Sequence, residues 1–223
     1  MLFRSNIFFK GLLSIFFLTY FVLGLFIYKD FGITTDEEFQ RYSGFYWLSY
    51  ILNFSPFEGL QLLVDRKLSS IGGFTLPNPE DYPFYGVIFD LPLALIETIL
   101  KIEDPRQYFL LRHKLNFIIF FISSIYFYKI VNNRFKNKSA IFFGVLIYIG
   151  SPRIFGDSFF NNKDIIFLSL ITISLYYSLK LLSDFKRKNI LLFSIFSALA
   201  SAARIVGIFL PLSIISVLIF ENL

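Results

Sequence analysis

The stretch Thr34-Thr35-Asp36-Glu37-Glu38 follows closely after the first long apolar run of the chain, Gly11 to Tyr28. That run contains no charged residue and is long enough to cross the hydrocarbon core of a bilayer as a helix. Three consecutive carboxylates therefore lie at the depth where a membrane meets water. We interpret the rest of the chain as further membrane helices built over this acidic edge.

The acidic stretch also has a purely structural interpretation as the start of a helix. Thr35 as the N-cap with Glu38 three residues later matches a capping box, and acidic residues suit the positive end of a helix dipole. The two interpretations are compatible, because a cap would also hold catalytic carboxylates in place.

Composition places the chain among polytopic helical membrane proteins. Hydrophobic residues make up 56% and charged residues 17%, against about 45–50% and about 25% in soluble domains. Cysteine is absent, which excludes disulfides and thiolate metal sites, and the single His113 excludes a multi-histidine centre. The net charge is +5, but the basic residues lie between apolar runs, which indicates membrane topology and not nucleic-acid binding.

The N-terminus is predicted to be cytoplasmic, because Arg4 and Lys10 precede the first span. No small-x-small cleavage site follows that span, so we expect an uncleaved anchor. Residues 29–112 then form a long external loop. Phe39 to Phe54 suits an interfacial helix within it. The breakers of this loop are Gly72-Gly73 and Pro77-Asn78-Pro79.

Residues 84–100 are apolar but interrupted by charges. Asp90 and Glu97 are seven residues apart, and Lys101 lies four beyond Glu97, so a helix here would carry a polar stripe. Such a stripe favours a helix lying along the membrane surface over one that crosses. If the segment crossed, the basic clusters 132–138 and 184–188 would both lie outside, against the positive-inside rule.

The non-crossing topology sets the remaining spans. The predicted spans are 11–28, 115–131, 139–151 and 165–182, with 190–220 forming either two helices or one broken helix. A break is expected near Arg204, because small residues surround it and Pro211 follows. We treat residues 1–223 as one membrane domain.

In this topology three polar groups converge on the outer membrane face: residues 36–38, the loop 152–164, and Arg204. Transfer of a sugar from a lipid phosphate needs a carboxylate to take the acceptor proton and cations to neutralise the departing phosphate. Each group also has a structural explanation. Asn161 or Asn162 can cap the following helix, and Arg204 can snorkel towards water.

The arrangement resembles the GT-C membrane glycosyltransferases of the protein O-mannosyltransferase and aminoarabinose transferase type. Asp36-Glu37 stands where those enzymes open their external loop with an Asp-Glu pair, and Arg112 stands where they have an Arg at the next span. Pro152 and Asp164 match their second acidic loop. The blocks that resemble a bacterial branch are Ser151-Pro152-Arg153, Ser158-Phe159-Phe160-Asn161, Lys163-Asp164 and Ala203-Arg204-Ile205-Val206-Gly207.

The resemblance implies an inverting transferase with Asp36 as the catalytic base, Glu37 as its neighbour and a polyprenyl-phosphate sugar as donor. The candidate substrate-binding residues are Arg112, His113, Arg153, Asn161, Lys163, Asp164 and Arg204. No metal ligand or cofactor is assigned, and a divalent cation is left open. The expected partners are the donor, a lipid, glycan or protein acceptor, and the inner (plasma) membrane.

Two features depart from these relatives. Their His-Pro-Pro-Leu element is missing, and residues 81–86 stand roughly in its place. The chain is also shorter than such enzymes, so we expect an N-terminal portion of one. The alternatives are a transporter, which would need ionisable residues at mid-span, and a structural membrane protein without chemistry.

Overall fold

The computed structural model describes residues 2–71 and 76–221, which contain ten α-helices and three short 3-10 helices. The helices are α1 (Leu2–Ile27), α2 (Thr35–Leu52), α3 (Glu58–Ile71), α4 (Asp90–Ile99), α5 (Pro105–Arg134), α6 (Lys138–Gly150), α7 (Pro152–Phe160), α8 (Asp164–Ser183), α9 (Arg187–Ala203) and α10 (Phe209–Glu221). Within the described ranges there is no strand, only an isolated antiparallel bridge between Tyr85 and Arg204. The predicted all-α class is confirmed. The predicted loop residues Gly72 and Gly73 lie outside the described residues.

Within the described residues, three segments are long and apolar enough to cross a membrane: Phe8–Asp30, which includes most of α1, and the helices α5 and α8. The pair α6 and α7 passes the same test together, with a bend of 53° between the two helices. These helices confirm a polytopic helical membrane protein.

Two boundaries differ from the sequence-based expectation. Helix α5 begins at Pro105, well before residue 115, because the Asp104 side chain caps its first turn and proline suits the first helical position. Residues 152–164 are not a loop throughout. They contain α7, which Pro152 likewise starts.

The expected surface helix over residues 84–100 is also corrected. Only Asp90–Ile99 is helical, and Lys101 adopts a positive φ of 52°, so it cannot continue the stripe from Glu97. Asp90 and Glu97 are almost completely buried, and each pairs with an arginine of a neighbouring helix. The polar stripe faces protein, because guanidinium groups on α2 and α5 satisfy it there.

An aromatic core holds the end of α1 against α5 and α7. The ring of Phe159 is stacked between Phe31 and Phe117, at centroid distances of 4.4 and 5.1 Å. Phe117 and Phe159 are fully buried. Because Phe31 precedes α2 and Phe159 lies in the last turn of α7, this stack brings the acidic stretch beside the link from α7 to α8.

Helices α2, α3 and α4 pack around a second core that includes Phe45 and Val64. Gly44 lets α4 approach α2 closely, since a Cβ there would lie 2.5 Å from the Asp90 carbonyl oxygen. The start of α4 is therefore fixed against the middle of α2.

The last apolar stretch is interrupted at Arg204, whose backbone is extended between α9 and the 3-10 turn Ile205–Ile208. The interruption leaves backbone groups without helical partners, and the N–H of Gly86 donates to the Ala203 carbonyl at 3.1 Å. A Cβ on Gly86 would lie 1.4 Å from the Ala202 carbonyl oxygen, so only glycine allows this approach.

Candidate functional site

A cleft with two lobes lies between the N-terminus of α2 and the link from α7 to α8. The first lobe has a volume of about 290 Å³ and is lined by Thr34, Thr35, Asp36, Phe160, Asn161, Asn162 and Lys163. The second has about 300 Å³ and is lined by Thr35, Asp36, Phe39, Gln40, Leu76, Pro77, Tyr82, Tyr85 and Lys163. Asp36 and Lys163 border both lobes, and we call this space the Asp36 cleft.

An ion pair joins these two residues across the cleft. The Nζ of Lys163 lies 3.6 Å from Oδ2 of Asp36, whose side chain is 74% exposed. The same ammonium lies 4.0 Å from the ring centroid of Tyr85. The Lys163 side chain is only 18% exposed, but its partner Asp36 is open to solvent, so the pair contributes little to stability. A ligand can therefore replace either partner of this ion pair at little cost in stability.

Glu37 faces away from the cleft and is almost completely buried. Its Oε2 accepts from the backbone N–H of Thr34 at 2.8 Å and from the Thr34 hydroxyl at 3.2 Å. The capping box is thus formed by Thr34 and Glu37, one residue earlier than predicted. The physical reason is that Thr34 is extended and the helix already begins at Thr35, which makes Glu37 the third helical residue.

His113 lies beneath the cleft and connects three elements. Its Nε2 is 2.8 Å from Oε1 of Glu37, and its Nδ1 is 3.4 Å from the carbonyl oxygen of Tyr28. The ring thereby ties α5 to the end of the first apolar segment and to the start of α2. His113 does not line the Asp36 cleft.

Arg112, Asp90 and Asn162 form a second buried network. Arg112 Nη1 donates to Oδ1 of Asp90 at 2.5 Å, and Asn162 Nδ2 donates to the same oxygen at 2.8 Å. Burial raises the pKa of the Asp90 carboxyl, and the donation from Arg112 opposes that rise. The network fixes the residue before Lys163, so it positions one wall of the cleft.

The start of α8 brings Asp164 to Arg204. The two side chains form an ion pair through Oδ1 and Nη2, and they remain 47% and 30% exposed. Asn161 caps α8, since its Oδ1 accepts from the backbone N–H of Asp164 at 2.9 Å. The guanidinium carbon of Arg204 lies 5.9 Å from the ring centroid of Tyr85, so Arg204 and Lys163 approach the same ring.

All the predicted site residues except Arg153 therefore fall into two groups. Those at the cleft or next to it are Asp36, Asn161, Lys163, Asp164 and Arg204. Those buried beneath it are Glu37, Arg112 and His113. Arg153 belongs to neither group: its side chain is 87% exposed and lies 3.6 Å from Asp157 on the same helix.

Sequence reasoning did not list Asp90, Asn162 or Tyr85 as site residues, although it noted Asp90 on a polar stripe and Asn162 in the loop 152–164. A carboxylate inside an apolar run was the available signal for Asp90. Tyr85 lies in residues 81–86, which stand roughly in place of the His-Pro-Pro-Leu element expected from the family resemblance. No group of three His, Cys, Asp or Glu side chains that could hold a metal occurs in residues 2–71 and 76–221.

The chain was compared with protein families, curated proteins and solved structures. The family model of the dolichyl-phosphate-mannose-protein mannosyltransferases matches residues 105–223, which is more than half of the chain and includes α5 to α10. No curated protein and no solved structure matches the chain. The matched part carries every candidate residue except Asp36 and Glu37. The chain therefore belongs to the dolichyl-phosphate-mannose-protein mannosyltransferase family, the membrane glycosyltransferases of GT-C type.

Proposed function

We propose that the Asp36 cleft transfers a sugar from a polyprenyl-phosphate donor to an acceptor hydroxyl at the outer face of the membrane. The observation that carries the proposal is the meeting of one exposed carboxylate, Asp36, with the cations Lys163 and Arg204 around the Tyr85 ring. The family description, which names a lipid-phosphate mannose as donor, supports the donor class.

Asp36 is the proposed general base. Of the three carboxylates in the stretch, Glu37 is buried against His113, and Glu38 lines a different cavity, beside Arg41 and Tyr108. Asp36 is the one of these three carboxylates that borders the cleft, and an acceptor hydroxyl could reach it there. A base must lie within hydrogen-bond reach of the proton that it takes.

Lys163 and Arg204 are the proposed partners of the donor phosphate. Each cation has one carboxylate partner, Asp36 for Lys163 and Asp164 for Arg204, and Arg204 also retains a buried Nε without a hydrogen-bond partner among the described residues. Charge-assisted hydrogen bonds to phosphate are stronger than neutral ones. Cations placed where negative charge develops stabilise the transition state.

The proposed reaction is a single displacement. The acceptor oxygen bonds to the anomeric carbon as the bond from that carbon to the phosphate oxygen breaks. Asp36 takes the proton of the acceptor hydroxyl, and the departing lipid phosphate keeps the electron pair beside Lys163 and Arg204. One displacement inverts the configuration of the anomeric carbon.

The test is Asp36→Asn in the purified protein, with radiolabelled dolichyl-phosphate mannose as donor. Sugar release to water gives a readout that needs no acceptor. We expect release and transfer to fall by roughly 10²-fold or more, the usual scale for loss of a general base. Helicity should be unchanged, because Asp36 is the second helical residue and not the N-cap, and Asn is nearly the same size as Asp.

Asp30→Asn is the matched control, because Asp30 is also an exposed carboxylate near the acidic stretch but does not line the cleft. It should keep wild-type turnover. Wild-type turnover in Asp36→Asn would rule out the catalytic assignment.

A further inference from the structure

A groove of about 400 Å³ lies between α5 and α8 at the ends of these helices remote from the Asp36 cleft. Its lining residues are Ile130, Asn133, Arg134, Tyr176, Leu179, Lys180 and Ser183. We call it the basic groove. Along α5, Arg134 lies about 30 Å from Arg112 at a rise of about 1.5 Å per residue. That distance equals the thickness of a hydrocarbon core, so the groove and the cleft belong to opposite faces of the membrane.

The charged residues that line the basic groove are both positive. Arg134 and Lys180 line it, and Lys129 stands beside it with its Nζ 4.5 Å from the Tyr126 ring centroid and 5.6 Å from that of Tyr176. No carboxylate lines the groove. Across residues 2–71 and 76–221, none of the three cations takes part in a salt bridge. An anionic ligand would therefore complement this surface.

One side of the basic groove is apolar, and leucines of α8 are exposed there. Leu179 is 46% exposed and Leu175, one turn earlier on the same helix, is 38% exposed. Tyrosines at this level combine an apolar ring with a polar hydroxyl, as is usual at membrane interfaces. A free phosphate ion would use only the cations, whereas a phospholipid would use both the cations and the apolar wall.

We propose that the basic groove binds the headgroup of an anionic glycerophospholipid, with its phosphate at Arg134 and Lys180 and its acyl chains along Leu175 and Leu179. Basic pockets between membrane helices on the cytoplasmic side are suited to such headgroups. The exposed cluster Lys186 to Lys188 lies at the same end of the bundle but does not line the groove. This lipid site is independent of the sugar transfer proposed for the Asp36 cleft.

The experiment measures phosphatidylglycerol bound to the purified protein by native mass spectrometry, with phosphatidylcholine as the neutral comparison. Arg134→Gln combined with Lys180→Gln is the test variant. Each basic residue near an anionic lipid contributes roughly five-fold in affinity, so we expect a loss of roughly thirty-fold for phosphatidylglycerol. Phosphatidylcholine binding should be unchanged.

Arg187→Gln combined with Lys188→Gln is the matched control, since it removes the same charge from exposed positions that do not line the groove. Thermal unfolding in phosphatidylcholine checks the fold, and Lys180→Gln alone replaces the double variant if that is unstable. Equal losses in the test and control variants, or no loss in either, would contradict the proposal. So would displacement of the lipid by millimolar inorganic phosphate, which would indicate a site for free anions.

Discussion

The Nε2 of His113 lies 2.8 Å from Oε1 of Glu37, and both residues are 1% exposed. The other ring nitrogen faces the carbonyl oxygen of Tyr28, which can only accept a hydrogen. The two ring nitrogens of His113 thus face two acceptor oxygens, and the ring joins the start of α2 to the end of the first apolar segment. Asp36 and Glu37 are consecutive residues of α2, so we infer that this buried contact positions Asp36.

Replacing His113 should therefore destabilise the protein. His113→Ala leaves the buried Glu37 carboxyl without its hydrogen-bond partner, and we expect a loss of about 1–3 kcal/mol, the cost of leaving a buried polar group unsatisfied. Thermal unfolding in detergent measures this. A double-mutant cycle with Glu37→Gln should show non-additive effects. Unchanged stability with weaker donor binding would instead support the sequence-based hypothesis that His113 contacts substrate.

The position of the helix cap gives a second prediction. Thr34→Ala removes the N-cap side chain and should cost about 1 kcal/mol. Thr35→Ala should have little effect on stability, because Thr35 is already the first helical residue. Paired unfolding measurements of the two variants decide the matter, and a larger loss in Thr35→Ala would restore the cap predicted from the sequence.

Arg204→Ala tests the donor phosphate site. Losing one charge-assisted contact should weaken donor binding by about 1.5–3 kcal/mol, measured by titration with dolichyl-phosphate mannose. Arg106→Ala is the control, since Arg106 is exposed and does not line the cleft. Donor affinity equal to wild type in Arg204→Ala, at low and at physiological salt, would remove Arg204 from the site.

The contact between Gly86 and the break at Arg204 gives a fourth prediction. Gly86→Ala would place a Cβ 1.4 Å from the Ala202 carbonyl oxygen, so the two segments must separate. We expect lower thermal stability together with reduced sugar transfer, because Arg204 and Tyr85 would move. Gly59→Ala is the matched control, since no atom lies within 4 Å of its added Cβ. Equal stability of the two variants would show that the contact is unimportant.

The topology can be tested by single-cysteine labelling, because the chain contains no cysteine. With the positive-inside orientation, a membrane-impermeant maleimide should label Asp30→Cys in intact cells and should label Lys136→Cys only after permeabilisation. Labelling of position 136 with protection of position 30 would reverse the orientation and place the Asp36 cleft in the cytoplasm.

Some of the site could be predicted from residues that are close in the chain or chemically unusual in their surroundings. Asp36 follows an apolar span, and Arg204 interrupts one, and both patterns are visible without a structure. The predicted topology brought residues 36–38, the loop 152–164 and Arg204 to one face, but it could not show which individual side chains pair. Lys163 reaches Asp36, and Asp164 reaches Arg204, only because the Phe31–Phe159 stack and the Gly86 contact bring distant segments together.

The sequence by itself determined the all-α membrane class, because hydropathy and charge act locally along each helix and need no knowledge of neighbours. Tertiary structure alone decided which carboxylate faces the cleft. Asp36 and Glu37 are adjacent and chemically similar, yet a helix turns consecutive side chains by about 100°. One of them therefore meets His113 in the interior, while the other meets Lys163 at the open cleft.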